Sequence, residues 1–508
     1  MKEIGVIASG SSFTEAWAIL REGMEKVVRH EDLCLIKNLN GNEVIAVVRD
    51  GRGIDENLVH DHYTPSTGRV KIGYNVPSAR RHDTIFLDIL GEVTPLRQNR
   101  VLIAPQSRVY LLEDQDNPMK YLVDSETKGE FTIGYYYRHP NWRVPVKPEY
   151  ACYHIGVFGA TGCGKTMLVV NEIIPLLLKA RYHVLIMDWK GSGQPDGYAN
   201  FFPDIVIKCT EIRMEEDLIV SFLSSRMRDF GYTGEKRENN PLLGVLETVV
   251  YSDEFKELLE PTDDEEEIKK RMEKFRKLVE KQIWEENKTK TGELSNWGRR
   301  YLARFRKYFS KLKVDDFKVL LGRLSPDDII EKTLSSKKPV VVDLGLLRDD
   351  QKLMTFLAIA NAIKERIEKG QRLNLALIID EGAQYCPFRP RGIQKDTTEI
   401  IKDLCATGRS AGLSVVLVSQ GIAGEIGISA SIRRNLNTLF IGRIGANDLS
   451  TNEVRQLLQS LRLNADFLRD MRGENGERLF YFMGAMSPVS KPLLITFDLK
   501  NRGISNEQ

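Results

Sequence analysis

The segment HIGVFGATGCGKT, from His154 to Thr166, decides the fold of this chain. An apolar run ends at Phe158 and leads into a loop of the form GxxxxGK followed by Thr, after which an apolar helical pattern begins. Glycines allow backbone N–H groups to curve around phosphate oxygens, and the first turn of the next helix adds partial positive charge. The order of strand, loop and helix therefore predicts a phosphate-binding loop for a nucleoside triphosphate.

The residues of this loop are predicted to bind the nucleotide: Gly159, Ala160, Thr161, Gly162, Cys163, Gly164, Lys165 and Thr166. Lys165 is expected to bridge the β- and γ-phosphates, and the hydroxyl of Thr166 is expected to ligate Mg²⁺. ATP and Mg²⁺ are accordingly the predicted cofactors.

A second apolar strand, Leu375 to Ile379, ends in the carboxylates of Asp380 and Glu381. Asp380 is expected to hold Mg²⁺, and Glu381 is expected to polarise the attacking water. By itself the pair could be a solvated acid pair at the end of a buried strand. Together with the phosphate-binding loop it indicates hydrolysis of a nucleoside triphosphate by water.

A third polar segment, Gly408 to Leu413, leads into an apolar strand that ends at Gln420. A polar side chain at the tip of a strand beside the Asp380–Glu381 strand can contact the γ-phosphate or the attacking water, so Gln420 is predicted to act as a sensor. Arg409 is predicted to reach the nucleotide of a neighbouring subunit, where positive charge stabilises the transferring phosphoryl group. The alternative for Arg409 is a surface arginine in a turn.

The strings DEGAQ (380–384) and GRSAGLSVVLVSQ (408–420), with the phosphate-binding loop, resemble the HerA–FtsK superfamily of DNA-pumping ATPases, and more narrowly its HerA type. The string IGVIASGSSFTEAWAIL (4–20) is similar to the start of the HerA β-barrel domain. The resemblance implies a homohexameric ring with ATP at subunit interfaces, duplex DNA in the pore and a NurA-like nuclease as partner. It also implies these roles: Walker A for Lys165 and Thr166, Walker B for Asp380 and Glu381, interface arginine for Arg409 and sensor for Gln420.

The predicted fold class is α/β, with a RecA-like P-loop ATPase core, a small N-terminal β-barrel and a helical insertion. The predicted domains are the barrel (1–140), the core (141–209 and 337–498), the insertion (210–336) and a C-terminal tail (499–508). The first domain is predicted to contain strands at Gly5–Ala8, Leu33–Ile36, Glu43–Val48, Val70–Ile72, Ile85–Ile89, Val101–Ala104, Val109–Leu112 and Phe131–Tyr136. Core strands are predicted at His154–Phe158, Val184–Met187, Val340–Leu344, Leu375–Ile379, Ser414–Ser419, Thr438–Gly442, Leu479–Met483 and Leu493–Phe497.

Composition narrows the class of partner and the compartment. The 508 residues carry 73 basic and 71 acidic side chains, and a net charge of +2 excludes a histone-like polycation. The 6 cysteines are scattered and form no CxxC pair, which favours a reducing compartment. Because no stretch reaches about 18 uninterrupted apolar residues, the sequence predicts a cytoplasmic protein that does not span a membrane.

Any contact with DNA must therefore come from a local basic segment. Arg299 to Lys313 forms a helix pattern with cations on one face, for which a solvated basic face is the alternative. The segment after the Walker B strand contains Arg389, Arg391 and Lys395, which are candidates for gripping phosphates in a ring pore. Trp189 and Lys190 are a lesser pore-loop candidate.

These observations predict an ATP-driven, hexameric DNA translocase or helicase that acts with a nuclease in DNA end processing. One alternative is a conjugation or packaging ATPase of the same superfamily. The other is an ATP-gated ring scaffold that recruits a nuclease or another effector and hydrolyses ATP slowly.

Overall fold

A computed structural model describes residues 1–58, 63–73, 81–93, 96–123, 129–228, 241–310, 312–473 and 476–499. The predicted tail therefore lies outside the described residues apart from Leu499, as do residues 229–240 of the predicted insertion. The chain divides into two compact units, one made of Met1–Leu176 with Leu436–Gln508 and the other of Leu177–Asn435.

The strands, in chain order, are β1 (Lys2–Ile7), β2 (Glu15–Leu20), β3 (Leu33–Lys37), β4 (Glu43–Asp55), β5 (Arg81–Glu92), β6 (Arg108–Leu111), β7 (Thr132–Tyr136), β8 (Arg143–Pro145), β9 (Ile155–Phe158), β10 (His183–Asp188), β11 (Val206–Lys208), β12 (Val340–Asp343), β13 (Leu375–Ile379), β14 (Ser414–Ser419), β15 (Thr438–Ile441), β16 (Phe480–Gly484) and β17 (Leu493–Thr496).

The α-helices are α1 (Pro65–Lys71), α2 (Lys165–Leu168), α3 (Ile174–Lys179), α4 (Tyr198–Phe201), α5 (Glu216–Arg228), α6 (Pro241–Val250), α7 (Asp253–Lys256), α8 (Glu265–Asn287), α9 (Asn296–Phe309), α10 (Val314–Lys318), α11 (Pro326–Ser335), α12 (Asp349–Glu368), α13 (Gly382–Tyr385), α14 (Ile393–Thr407), α15 (Ala430–Arg433), α16 (Ala446–Leu449), α17 (Asn452–Ser460) and α18 (Ala465–Asp470). A π-helical turn, Val169–Ile173, joins α2 to α3. No helix among the described ranges is long and apolar enough to cross a bilayer.

In the first unit, strands β1 to β6 close into an antiparallel barrel in the order β1-β2-β5-β4-β3-β6. Alternate residues of these strands point inward, and their apolar side chains fill the interior, among them Ile4, Ala18, Ile36, Val44, Leu87 and Val109. Closure removes the unpaired edges that an open sheet would expose. The α/β class with an N-terminal barrel is thus confirmed.

The barrel differs from the sequence prediction in several details. The strand predicted at Val70–Ile72 falls mostly in helix α1, because Thr64 accepts a hydrogen bond from the Thr67 N–H (3.1 Å) and Pro65 occupies the first turn. The described residues 101–104 form no strand, and β2 was not predicted.

The strand predicted at Phe131–Tyr136 was grouped with the barrel, but β7 pairs with β17 and β8 in a different sheet. The sheet of the first unit has the order β9-β15-β16-β17-β7-β8, with β9 parallel to β15 and antiparallel pairs thereafter. The Tyr136 hydroxyl donates to the carbonyl of Glu31 (2.6 Å), so the barrel is tied to this sheet by a buried hydrogen bond.

The second unit has a parallel sheet in the order β11-β12-β10-β13-β14. Strands β12, β13 and β14 are buried along their whole length, and β10 is buried after its first residue, as in sheets that helices cover on both faces. All the strands point the same way, so the residues that follow them meet at one edge. Asp188, Asp343, Asp380 and Gln420 lie at that edge.

Helices α5 to α11 form the predicted helical insertion within the second unit. Their shared core is aromatic: the Phe275 ring lies 5.3 Å from that of Phe255 and 5.9 Å from that of Phe317. Fully burying such a side chain contributes roughly 1.5–3 kcal/mol, which explains how short helices pack stably here.

Candidate nucleotide-binding site

The predicted phosphate-binding loop follows β9 and ends at the first turn of α2. Gly162 and Gly164 have φ angles of 76° and 101°, a region that residues with a Cβ rarely adopt. Lys165 folds back over the loop, where its ammonium donates to the carbonyls of Gly159 (2.7 Å) and Ala160 (3.3 Å). The loop thus holds its lysine inside the curve where phosphate oxygens are predicted to bind.

Cys163 is buried within this loop. Burial raises the pKa of its thiol, so the thiol stays protonated and unreactive at neutral pH. Thr166 is half-buried on the first turn of α2, and Thr161 and Gly162 are exposed at the tip of the loop.

A cavity of about 320 Å³ adjoins the loop, and the C-terminal part of the chain supplies three of its arginines: Arg443, Arg472 and Arg478. The Arg443 carbonyl accepts a hydrogen bond from the Ala160 N–H (2.7 Å). A Cβ on Gly164 would lie 2.8 Å from Cγ of Arg478. Both this close contact and the positive φ angle therefore favour glycine at position 164. Sequence analysis missed these arginines. The position of Arg443, just beyond a core strand, was the one available signal.

The Walker B residues lie in the second unit. Asp380 is 2% exposed, and among the described residues no hydrogen-bond donor reaches its Oδ2. Burial raises the pKa of Asp380 to about 7, with a further upward effect from Glu381 and an opposing effect from Lys190. This carboxylate is therefore poorly compensated in the metal-free protein.

Glu381 has a left-handed backbone (φ 50°), which is uncommon outside glycine and costs free energy. The amide of Gln420 donates to its carboxylate, with Nε2 at 3.3 Å from Oε2 and 3.5 Å from Oε1. The two residues that the sequence assigned to water activation and sensing are therefore in direct contact.

Lys190 joins this group, although the sequence suggested a pore loop for it. Its Nζ lies 3.4 Å from Oε1 of Glu381 and 3.8 Å from Oδ2 of Asp380. Asp380, Asp196 and Glu381 together raise the pKa of Lys190 despite its desolvation, so the ammonium stays charged. The pore-loop prediction for Trp189 is wrong, because its ring is buried 5.1 Å from that of Tyr385.

The Walker B carboxylates have the chemistry that Mg²⁺ prefers. The ion prefers oxygen ligands and is usually held by one or two carboxylates together with substrate phosphates. The Oδ2 atom of Asp380 is a buried oxygen without a hydrogen-bond donor among the described residues, so this carboxylate has the chemistry of a Mg²⁺ ligand. Among the described residues no cluster of three or more His, Cys, Asp or Glu side chains is arranged around a metal, so a cage made by protein alone is not indicated there.

Replacing Asp380 by Asn is expected to raise the melting temperature of the metal-free protein at pH 8. A raised native pKa favours folding only while the acid is protonated, so this contribution is full below pH 4 and lost as the pH rises through 7. The change from 3.8 to about 7 corresponds to about 4 kcal/mol at pH 8, which the neutral amide avoids. Thermal unfolding in EDTA at pH 4 and pH 8 measures this, and a gain of equal size at both pH values would contradict it.

Asp343→Asn is the matched control for that experiment. Asp343 is also buried, as the last residue of the parallel strand β12, but it accepts hydrogen bonds from Ser192 (N at 3.1 Å, Oγ at 2.7 Å) and from the Gly345 N–H (2.9 Å). Its replacement is expected to lower the melting temperature at pH 8, because amide N–H groups would face those donors.

Arg409 lies in the exposed turn between α14 and β14. That turn is at the amino end of β14, whereas Gln420 and Glu381 lie at the carboxyl edge of the sheet. Six residues of strand separate the two edges by about 20 Å. Arg409 therefore does not reach Glu381 of its own chain.

The basic segments differ in how far their charges are neutralised. On α9, Arg306 donates to both oxygens of Glu280 (2.8 and 2.7 Å), and Tyr301 and Phe305 are buried, as the helix pattern predicted. By contrast Arg389, Arg391 and Lys395 are exposed and make no ion pair with any residue that the structure describes. Lys311 and the side chain of Tyr308 lie outside the described residues.

Comparison with known proteins identifies the class of this domain. The family model described as the central domain of helicase HerA matches residues 131–363. The chain carries a HerA-type domain. The resemblance to the HerA–FtsK superfamily of P-loop ATPases is thereby confirmed. The matched segment includes the phosphate-binding loop and Lys190, and it ends before the Walker B strand.

Solved structures similar to this chain include VirB4 of Thermoanaerobacter pseudethanolicus (15% identity, 75% of this chain and 99% of that one, TM-score 0.45). The plasmid coupling protein TrwB in complex with ADP and Mg²⁺ is similar at 17% identity over 70% of this chain and 89% of its own, with a TM-score of 0.41. The genome packaging NTPase B204 from Sulfolobus turreted icosahedral virus 2, bound to ATP-gammaS, shows 12% identity over 68% and 98%, with a TM-score of 0.32. A search of curated proteins returned no match.

Proposed function

We propose that this HerA-type ATPase works as a homohexameric ring that moves along duplex DNA and acts with a nuclease in DNA end processing. The observation that carries the proposal is the contact of Gln420 with Glu381, in a chain whose HerA-type domain holds a complete phosphate-binding loop. A sensor in contact with the water-activating carboxylate couples the state of the nucleotide to the strand that bears it.

The roles of the residues follow from their chemistry. Lys165 and the loop N–H groups bind phosphates, and Thr166 and Asp380 would hold Mg²⁺, which would neutralise phosphate charge. Glu381 accepts a proton from the attacking water, and Gln420 orients the Glu381 carboxylate. Arg409 acts on the nucleotide of a neighbouring subunit.

The proposed contact with DNA is the exposed loop with Arg389 and Arg391, together with Lys395 on the first turn of α14. It begins shortly after Glu381 and runs into α14, so a change at the Walker B strand passes to it through a short stretch of chain. Its cations would contact phosphates without reading the sequence of bases.

We expect linear duplex DNA to stimulate steady-state ATP hydrolysis with Mg²⁺, with Lys165→Ala as the blank. The triple variant R389A/R391A/K395A should keep basal turnover and lose most of the stimulation. In equilibrium DNA binding it should also reduce the slope of log K against log salt by about 2.7, since each phosphate contact contributes about 0.9. The measurements are an ATPase assay and a salt titration by fluorescence anisotropy.

The matched control is K274A/K277A/K281A, which removes the same charge from an exposed face of α8. It should leave both readouts unchanged. An equal loss in both triple variants would refute the loop as the DNA contact. Turnover that is slow and indifferent to DNA in the wild-type protein would instead favour an ATP-gated scaffold.

A further inference from the structure

The segment after β10 places a lysine between two sets of carboxylates. Lys190 Nζ lies 2.7 Å from Oδ2 of Asp196 on one side, and 3.4 Å and 3.8 Å from Glu381 and Asp380 on the other. The side chain of Lys190 is 18% exposed, whereas that of Asp196 is 55% exposed. One ammonium therefore links a solvent-facing acid to the buried Walker B pair.

The backbone holds this lysine in place. Gly191 has a φ of 69°, and a Cβ there would lie 2.8 Å from the Gly345 nitrogen. On the preceding side, the Trp189 carbonyl accepts a hydrogen bond from Lys352 (2.8 Å), and the Trp189 ring is buried. The position of Lys190 next to the acids thus follows from a tightly packed turn.

Lys190 is the cation that contacts both Walker B carboxylates within the part of the chain that the structure describes. The nearby Lys352 donates to the Trp189 carbonyl and pairs with neither acid in the described ranges. Because Oδ2 of Asp380 has no hydrogen-bond donor there, Lys190 is its nearest source of positive charge.

We propose that Lys190 is a positioning residue that serves as an exchangeable counter-ion for Asp380 and Glu381. When a divalent cation binds there, the Lys190 ammonium remains paired with Asp196. The inference rests on the proposed ATPase function. A lysine beside a metal-binding carboxylate compensates the acid in the metal-free state and opposes the entry of a second positive charge. Asp196 weakens that opposition by offering the ammonium another partner.

The proposal predicts shifts of opposite sign. Lys190→Met removes the competing charge, so the Mg²⁺ concentration for half-maximal nucleotide binding should fall about three- to tenfold. Asp196→Asn keeps the lysine but removes its other partner, so the same concentration should rise by about the same factor. Lys190→Arg, which keeps the charge, should lie near the wild type.

The readout is binding of fluorescent mant-ADP during a Mg²⁺ titration at pH 8.5. As a second measurement, EPR follows the concentration of free Mn²⁺ in the presence of ADP. Lys338→Met and Asp204→Asn are the matched controls, because they break a lysine–aspartate pair (3.0 Å) at the surface of the same unit. These controls should leave the midpoint unchanged.

Two failures are distinguishable. If wild-type protein binds mant-ADP with Mg²⁺, but the variants at 190 and 196 shift the midpoint in the same direction or not at all, then the role of Lys190 is refuted and the ATPase proposal stands. A purely structural turn would produce that parallel shift. If the wild type binds no nucleotide while Lys165→Ala behaves identically, the proposed function itself is refuted.

Discussion

Replacing Glu381 by Gln is expected to lower kcat about 10²–10⁴-fold while nucleotide affinity stays close to that of the wild type. The amide has the shape of the carboxylate but cannot accept a proton from water. Its oxygen can still accept the hydrogen bond that Gln420 now donates at 3.3 Å, so the local geometry should persist. Steady-state ATP hydrolysis and mant-ATP binding, measured on the same preparations, test both halves of this expectation.

Glu425→Gln is the control for that substitution, since Glu425 is an exposed acid of the same unit and the change is chemically identical. It should leave kcat unchanged. Near-normal turnover in Glu381→Gln would remove Glu381 as the base. Loss of mant-ATP binding would mean that the left-handed backbone at Glu381, with φ of 50°, needs the carboxylate for its structure.

Arg409→Ala is expected to abolish most turnover, by about 10³–10⁵-fold if it supplies the transition-state arginine of an adjacent subunit. Because about 20 Å of β14 separate the Arg409 turn from the Walker B edge, Arg409 does not reach Glu381 of its own chain. The loss should therefore be complemented in mixed rings. Arg409→Ala provides an intact phosphate-binding loop, and Lys165→Ala provides an intact arginine.

The two inactive variants are unfolded and refolded together, or their subunits are exchanged. ATPase activity is then measured at several mixing ratios. A maximum at intermediate ratios is expected. Mixtures of Arg409→Ala with Glu381→Gln should also recover activity, because the two changes affect different members of an interface. Zero activity at every ratio, with assembly shown by sedimentation, would contradict an arginine acting between subunits.

The local pattern of apolar residues was sufficient to predict the strands that carry the motifs. The apolar runs at 155–158, 375–379 and 414–419 are each observed as buried strands with a polar or glycine-rich end. Such runs are predicted correctly because a parallel strand is buried on both faces, so its continuous apolar sequence identifies it without knowledge of the neighbouring strands. The strand prediction at Val70–Ile72 was wrong because a run of three residues carries little periodic signal. The N-cap at Thr64 starts a helix there instead.

The sequence by itself determined the phosphate-binding loop, the acid pair at Asp380 and the alternation of strands and helices, because each depends on residues that are neighbours in the chain. Tertiary structure alone decided that Lys190 contacts that pair, that Arg478 lies over Gly164 and that β7 joins the core sheet rather than the barrel. Those contacts join segments far apart in the chain, and their geometry follows from strand order and packing, which no local pattern of residues encodes.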